Sequence, residues 1–145
     1  MKIRAANQGE DRLNFYIASS LKNKEKARYV ASRLKEYGFS LTYDWTRNAP
    51  AETYSELKEI GEMEKEGVRQ ADFLVMIMPA GVGSHTELGM ALAMRKRVYL
   101  YSPDHDIFDI QNTSTFYYVN GIHKFVGLLD NFISEIHHYE GKLLH

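Results

Sequence analysis

Glu87 is the residue of this chain best placed for covalent chemistry. It follows Pro79-Ala80-Gly81-Val82-Gly83-Ser84-His85-Thr86 and opens Glu87-Leu88-Gly89. Pro79 lacks a backbone donor, and Gly81 and Gly83 permit a tight turn, so the apolar run Phe73–Met78 must end there. Gly81-Val82-Gly83 can offer bare N–H groups to an anion, with a helix N-terminus behind them; a plain turn is the alternative. Ser84-His85-Thr86-Glu87 also fits a capping box, with Ser84 as the cap and Glu87 reaching back. If Glu87 faces a cleft instead, the helix dipole favours its ionised form. An ionised carboxylate can attack an electrophilic carbon and form an ester. The C1′ of a nucleoside is one such carbon, and its oxocarbenium-like transition state is stabilised by nearby negative charge. Two phosphate motifs are excluded. Gly83-Ser84-His85 is not a Walker ending, and Thr86 stands where the dinucleotide fingerprint needs its third glycine.

The elements around this stretch alternate. Phe73–Met78 suits a strand buried on both faces, Ser84–Arg95 a helix, and Val98–Tyr101 the next strand. Upstream, Phe15–Ala18 is a strand. A helix follows with Ala27, Val30, Ala31, Leu34 and Tyr37 on one face, stopped by Gly38. Phe39–Tyr43 is the second strand and Glu52–Gln70 the second helix. That helix carries a stripe of Tyr54, Leu57, Ile60, Met63, Glu64, Gly67 and Val68. Its acidic run Glu59–Glu66 reads most simply as a solvated face. Ser102–Ser114 is a polar loop, Thr115–Val119 a fifth strand, and a last helix from Gly121 turns Ile122, Phe125, Val126, Leu129, Phe132, Ile133 and Ile136 inward. This predicts an α/β fold, a flavodoxin-like or Rossmann-like five-stranded parallel sheet in the order 2-1-3-4-5 with helices on both faces. Residues 1–14 form a polar lead-in, 15–138 one domain, and 139–145 a tail that frays from His137.

In such a sheet the loops leaving the strand C-termini share one edge. That edge collects Ser19, Ser20, Asp44, Trp45, the glycine turn and Ser102, and it is where a small ligand is expected. Trp45, the single tryptophan, can stack on a base or simply pack. Tyr16 is a core residue or a polar handle on the site. Asp72 either bonds a neighbouring amide or acts as a general acid. His85 is a phosphate contact, a base or a surface residue. The other histidines lack metal-ligand spacing, so no metal and no cofactor is expected.

Composition narrows the class. At 145 residues and net charge −1, one domain with a sizeable core is expected, without the basic bias that nucleic acid would attract. Zero cysteines excludes disulfides and thiolate catalysis and suits a reducing cytoplasm. No apolar run is long enough to span a bilayer, and Met1–Asn14 lacks the apolar segment of a signal peptide.

The short tyrosine-bearing first strand, Ala71-Asp72 opening the central strand, and the glycine turn into Glu87-Leu88-Gly89 with Ala91 and Ala93 behind resemble the nucleoside 2-deoxyribosyltransferase family. Its relatives include 2′-deoxynucleoside 5′-monophosphate N-glycosidases. The resemblance runs from about Phe15 to the last strand. It implies a flavodoxin-like fold, a homodimer or higher homo-oligomer with shared sites, and cleavage of an N-glycosidic bond in a nucleoside or nucleotide. It places Glu87 on the nucleophile, Asp72 on a carboxylate that protonates or orients the base, and Tyr16 on an aromatic residue that positions the nucleophile. Ser20 falls on a 5′-phosphate contact, and Ser114 on a phosphate-binding serine lent by a neighbouring subunit. Six residues before the nucleophile the transferases carry Asp and the monophosphate hydrolases Ser; Gly81 stands there. The missing Asp favours a nucleotide hydrolase or a diverged member. A non-catalytic nucleotide-binding module and an NAD-type glycohydrolase remain as alternatives.

Overall fold

The computed structural model describes residues 12–143. Residues 1–11 of the expected lead-in lie outside that range; Leu13 is already buried and Asn14 opens the first strand. The order is β1 (Asn14–Ala18), α1 (Lys24–Glu36), β2 (Ser40–Leu41), α2 (Tyr54–Gln70), β3 (Phe73–Ile77), α3 (Val82–Ala93), β4 (Arg97–Ser102), β5 (Ile122–Val126) and α4 (Leu129–Lys142). The five strands form one all-parallel sheet in the order β2-β1-β3-β4-β5, the expected doubly wound order. Helices α2 and α3 pack together on one face, and α1 and α4 on the other. Because both faces are covered, all five residues of β3 are buried and none needs to be polar. Phe15, Phe39, Phe73 and Tyr99 interlock on the α1/α4 face.

Helix α1 buries Ala27, Val30, Ala31 and Leu34 of the predicted stripe, while Tyr37 lies at its C-terminal cap and is exposed. It ends where Gly38 takes φ +98°, with the Phe39 amide donating to the Leu34 carbonyl at 3.1 Å. Helix α2 starts one residue after Thr53, whose hydroxyl accepts from the Glu56 amide at 3.1 Å.

Three expectations need correction. Thr115–Val119 is not a strand: Thr115–Tyr118 forms a short 3-10 turn, with Ser114 Oγ accepting from the Phe116 amide. The fifth strand is Ile122–Val126, which the periodicity assigned to the last helix. Ile122, Phe125 and Val126 have helical spacing, yet Gly121 at φ +96° and Gly127 at φ +139° isolate a run too short for a helix and well suited to a strand beside β4. Within the described residues the chain also does not fray from His137, because α4 continues to Lys142 and fully buries Glu140; residues 144–145 of the expected tail lie outside that range. Among the described residues no helix is long and apolar enough to cross a membrane.

Candidate active site

The strand C-termini build the site. Strand β1 passes through the core with Tyr16 fully buried, then delivers Ser19 and Ser20. Strand β3 ends at Ile77, and Pro79–Gly81 turn the chain into α3. That helix begins at Val82, two residues earlier than the sequence pattern indicates, so Gly83 lies in its first turn. Gly81 occupies the cap position, and its amide donates to Ser84 Oγ at 3.3 Å. The amides of Val82, Gly83 and Ser84 have no partner within the helix and form its positive end. Ser84 and Glu87 lie one turn apart on the same helical face.

A cavity of about 660 Å³ opens over these residues, lined by Ser19, Ser20, Leu21, Lys22, Trp45, Glu64, Pro79, Ala80, Gly81, Gly83, Ser84 and Glu87. Seven of the eleven sequence-predicted site residues therefore line one cavity. Tyr16 stands behind it and donates its hydroxyl to Glu87 Oε2 at 2.5 Å. Glu87 thus does not reach back to cap α3; its carboxylate is turned toward β1. Burial pushes its proton affinity up, to a pKa of about 8. The Tyr16 hydrogen bond pulls it down and the charge of Glu64 pushes it up. The Tyr16 hydroxyl is itself held protonated, first by burial and then by the Glu87 charge. Glu64 is half-buried, and burial raises its pKa as well.

The rest of the cavity is stiff. Trp45 Nε1 donates to the Ile17 carbonyl at 2.6 Å, so the indole presents only its apolar surface. Its loop is clasped by Arg28, which donates to Thr46 Oγ1 at 3.1 Å and to the Thr46 carbonyl at 2.8 Å. Asp44 Oδ1 accepts from the Thr46 amide and hydroxyl. Ser19 Oγ donates to the Ile77 carbonyl at 2.7 Å and accepts from Asn23 Nδ2 at 3.0 Å, which ties the first loop to the third.

Three predicted residues lie elsewhere. Asp72 precedes β3 at the opposite edge of the sheet, where Oδ2 accepts from the Asn14 amide at 2.7 Å. This is the backbone-bonding alternative, and the structure does not bring Asp72 to the cavity. His85 lies outside it too: Nδ1 donates to the Gly81 carbonyl at 2.8 Å, and Nε2 pairs with the Tyr117 hydroxyl at 2.7 Å. Ser114 lines a separate apolar hollow with Val82, His85 and Phe116.

Glu64 and Lys22 are the charged residues of the cavity lining that the sequence pattern does not single out. Glu64 had a legible signal, since it shares a helical stripe with Gly67 and Val68, both buried. A carboxylate on an inward stripe is costly unless it has a role. Lys22 carried no such signal. Among the described residues no group of three or more acidic, histidine or cysteine side chains is placed to hold a metal.

The family model for nucleoside 2-deoxyribosyltransferases matches residues 15–127, from β1 through the turn after β5. The chain belongs to the nucleoside 2-deoxyribosyltransferase family. The family comprises enzymes acting on the N-glycosidic bond of small nucleoside substrates. None of the curated proteins matches the chain in sequence. Among solved structures, a 2-deoxyribosyltransferase from Bacillus psychrosaccharolyticus superposes with a TM-score of 0.62 at 20% identity, covering 90% of this chain and 95% of its own. The CMP N-glycosidase BcmB of Clostridium botulinum gives 0.58 at 15% identity, covering 85% and 97%. A conserved protein from Enterococcus faecalis V583 gives 0.51 at 20% identity, covering 92% and 86%. At these identities the likeness is one of fold.

Proposed function

We propose that this protein cleaves the N-glycosidic bond of a nucleoside 5′-monophosphate through a covalent ester on Glu87. The observation that carries this reading is Glu87 itself: a nearly buried carboxylate at a cavity wall, oriented by Tyr16 and sharing the cavity with a second carboxylate. A Glu87 oxygen attacks C1′, the C1′–N bond breaks, and its electron pair leaves with the base. The departing base takes a proton from Glu64, the role the family resemblance gave to Asp72. Glu64 then accepts a proton from water as that water attacks C1′ and releases Glu87 as a carboxylate. The productive state has Glu87 ionised and Glu64 protonated, and two carboxylates in one cavity titrate as a pair. An acceptor base in place of water gives transfer.

Among the described residues Lys22 is the one basic residue lining the cavity. Together with Ser20, Ser84 and the free amides of α3 it supplies the chemistry a 5′-phosphate needs. The wall at Trp45 suits the flat face of a base. The exposed apolar side chains Tyr54 and Leu57 on α2, and Val82 and Phe116 around the second hollow, support association with another copy of the chain. The lack of cysteine supports a cytoplasmic setting.

The test incubates purified protein with deoxynucleosides, ribonucleosides, their 5′-monophosphates and NAD, and follows free base by chromatography. Base release from monophosphates in preference to nucleosides is expected. Nicotinamide release alone would identify an NAD-type glycohydrolase. Ligand-induced thermal stabilisation without turnover would identify a binding module.

A further inference from the structure

Helix α2 contains two glycines, and they differ. A Cβ added at Gly61 would meet nothing within 4 Å, so that glycine is only a weak helix former. A Cβ added at Gly67 would lie 3.0 Å from Tyr16 Cδ2, 3.1 Å from Tyr16 Cε2 and 3.0 Å from Tyr43 Cβ. The Tyr16 ring is fully buried and cannot swing into solvent. Tyr43 Cβ is fixed to its backbone. The helix cannot simply lift away, because Thr42 Oγ1 donates to the Gly67 carbonyl at 2.8 Å while the Thr42 amide donates to the Phe15 carbonyl at 3.0 Å. One residue of β2's exit thus ties α2 to β1 at the point where Gly67 meets Tyr16. The far end of that ring carries the hydroxyl that holds Glu87 at 2.5 Å.

From this geometry we infer that Gly67 is a positioning residue for the nucleophile: its missing side chain is the space that seats the Tyr16 ring, and the seated ring aims the Glu87 carboxylate. The inference rests on the reading of Glu87 given above. A hydrogen bond held at 2.5 Å by a ring with no free space leaves little room for displacement before it is lost. A single methyl on α2 therefore acts on a carboxylate it never touches.

The experiment follows two readouts in Gly67→Ala, Tyr16→Phe and the double variant: the titration of the Glu87 carboxyl by carbon-13 NMR, and kcat for base release. Gly67→Ala is expected to raise the Glu87 pKa by about one pH unit and lower kcat by about tenfold, the scale of one lost hydrogen bond to a charged group. In the Tyr16→Phe background the same substitution is expected to change neither. An unchanged Glu87 titration in Gly67→Ala, or an equal change in both backgrounds, overturns the assignment. If Gly67→Ala alone does not fold, Gly67→Ala with Tyr16→Val decides: cooperative melting restored by removing the ring supports the inference, and continued failure overturns it. Absence of base release from the unaltered protein would defeat the proposed function, while the titration would still judge Gly67.

Discussion

Among the described residues two glutamates are buried, at opposite edges of one sheet, and their surroundings differ. Glu140 is fully buried at the edge where the strands begin. Arg97, the first residue of β4, donates to it from Nε at 2.8 Å and Nη2 at 2.7 Å, and the Tyr99 hydroxyl donates as well. Glu87 is 9% exposed at the edge where the strands end. It has one hydroxyl donor, no ion pair among the described residues, and the charge of Glu64 pressing on it. A buried carboxylate is tolerable when its charge is matched, and Glu140 meets that condition. Glu87 meets it only in part and holds its proton to about pH 8. The first arrangement anchors the C-terminal helix; on the proposed function, the second sets aside stability for reactivity.

The sharpest break of this contrast is in activity. Glu87→Gln is expected to lower base release by roughly 10^6-fold, as loss of a covalent nucleophile does. Glu140→Gln is expected to leave kcat per folded molecule unchanged. Stability should invert the order. Removing one side of a buried ion pair costs on the order of 3 kcal/mol, so urea melts of Glu140→Gln should show that loss. Glu87→Gln should be stabilising at high pH. The folded pKa of Glu87 is raised, so its favourable contribution is full below the unfolded carboxylate pKa and disappears as pH rises through about 8. Above pH 8 Glu87→Gln should exceed the parent by a few kcal/mol, since a tenfold change in proton affinity corresponds to about 1.4 kcal/mol. The two should converge near about pH 4, where the carboxyl is protonated in both states.

Smaller effects sharpen the comparison within the cavity. Glu64→Gln is expected to reduce kcat by about 10^2- to 10^4-fold as a lost general acid. It should also move the acid limb of kcat/KM to lower pH, because the charge of Glu64 raises the Glu87 pKa. Tyr16→Phe should move that limb the other way by about one pH unit, the size of one hydrogen bond to a charged group. Lys22→Ala should raise KM about tenfold for a monophosphate and leave a nucleoside unaffected, the scale of one charge-assisted contact.

The sheet and the glycine turn were legible because buried parallel strands and their breakers depend on local composition. Strand β3 is apolar throughout, and Pro79 to Gly83 cannot extend it. Strand β5 was not legible, since Ile122, Phe125 and Val126 have helical spacing and only the φ angles of Gly121 and Gly127 decide. Ser19, Ser20 and Trp45 were legible as members of one edge, and Glu87 and Tyr16 through the family resemblance. Asp72 has chemistry that suits the role, yet it stands at a strand start outside the cavity lining, and strand direction separates it from Glu87 by the length of β3. Glu64 was obscured by the acidic residues around it. Whether a helical glutamate faces solvent or a cavity depends on how α2 packs, and α2 approaches Tyr16 closely at Gly67.

The most direct test of the central claim is the mass of the protein during turnover. Rapid acid quench of the protein with its best substrate, followed by intact-protein and peptide mass spectrometry, should reveal an added sugar unit on the peptide carrying Glu87. The adduct should be absent from Glu87→Gln. Sustained base release by Glu87→Gln, or an adduct located on any other residue, would contradict the account.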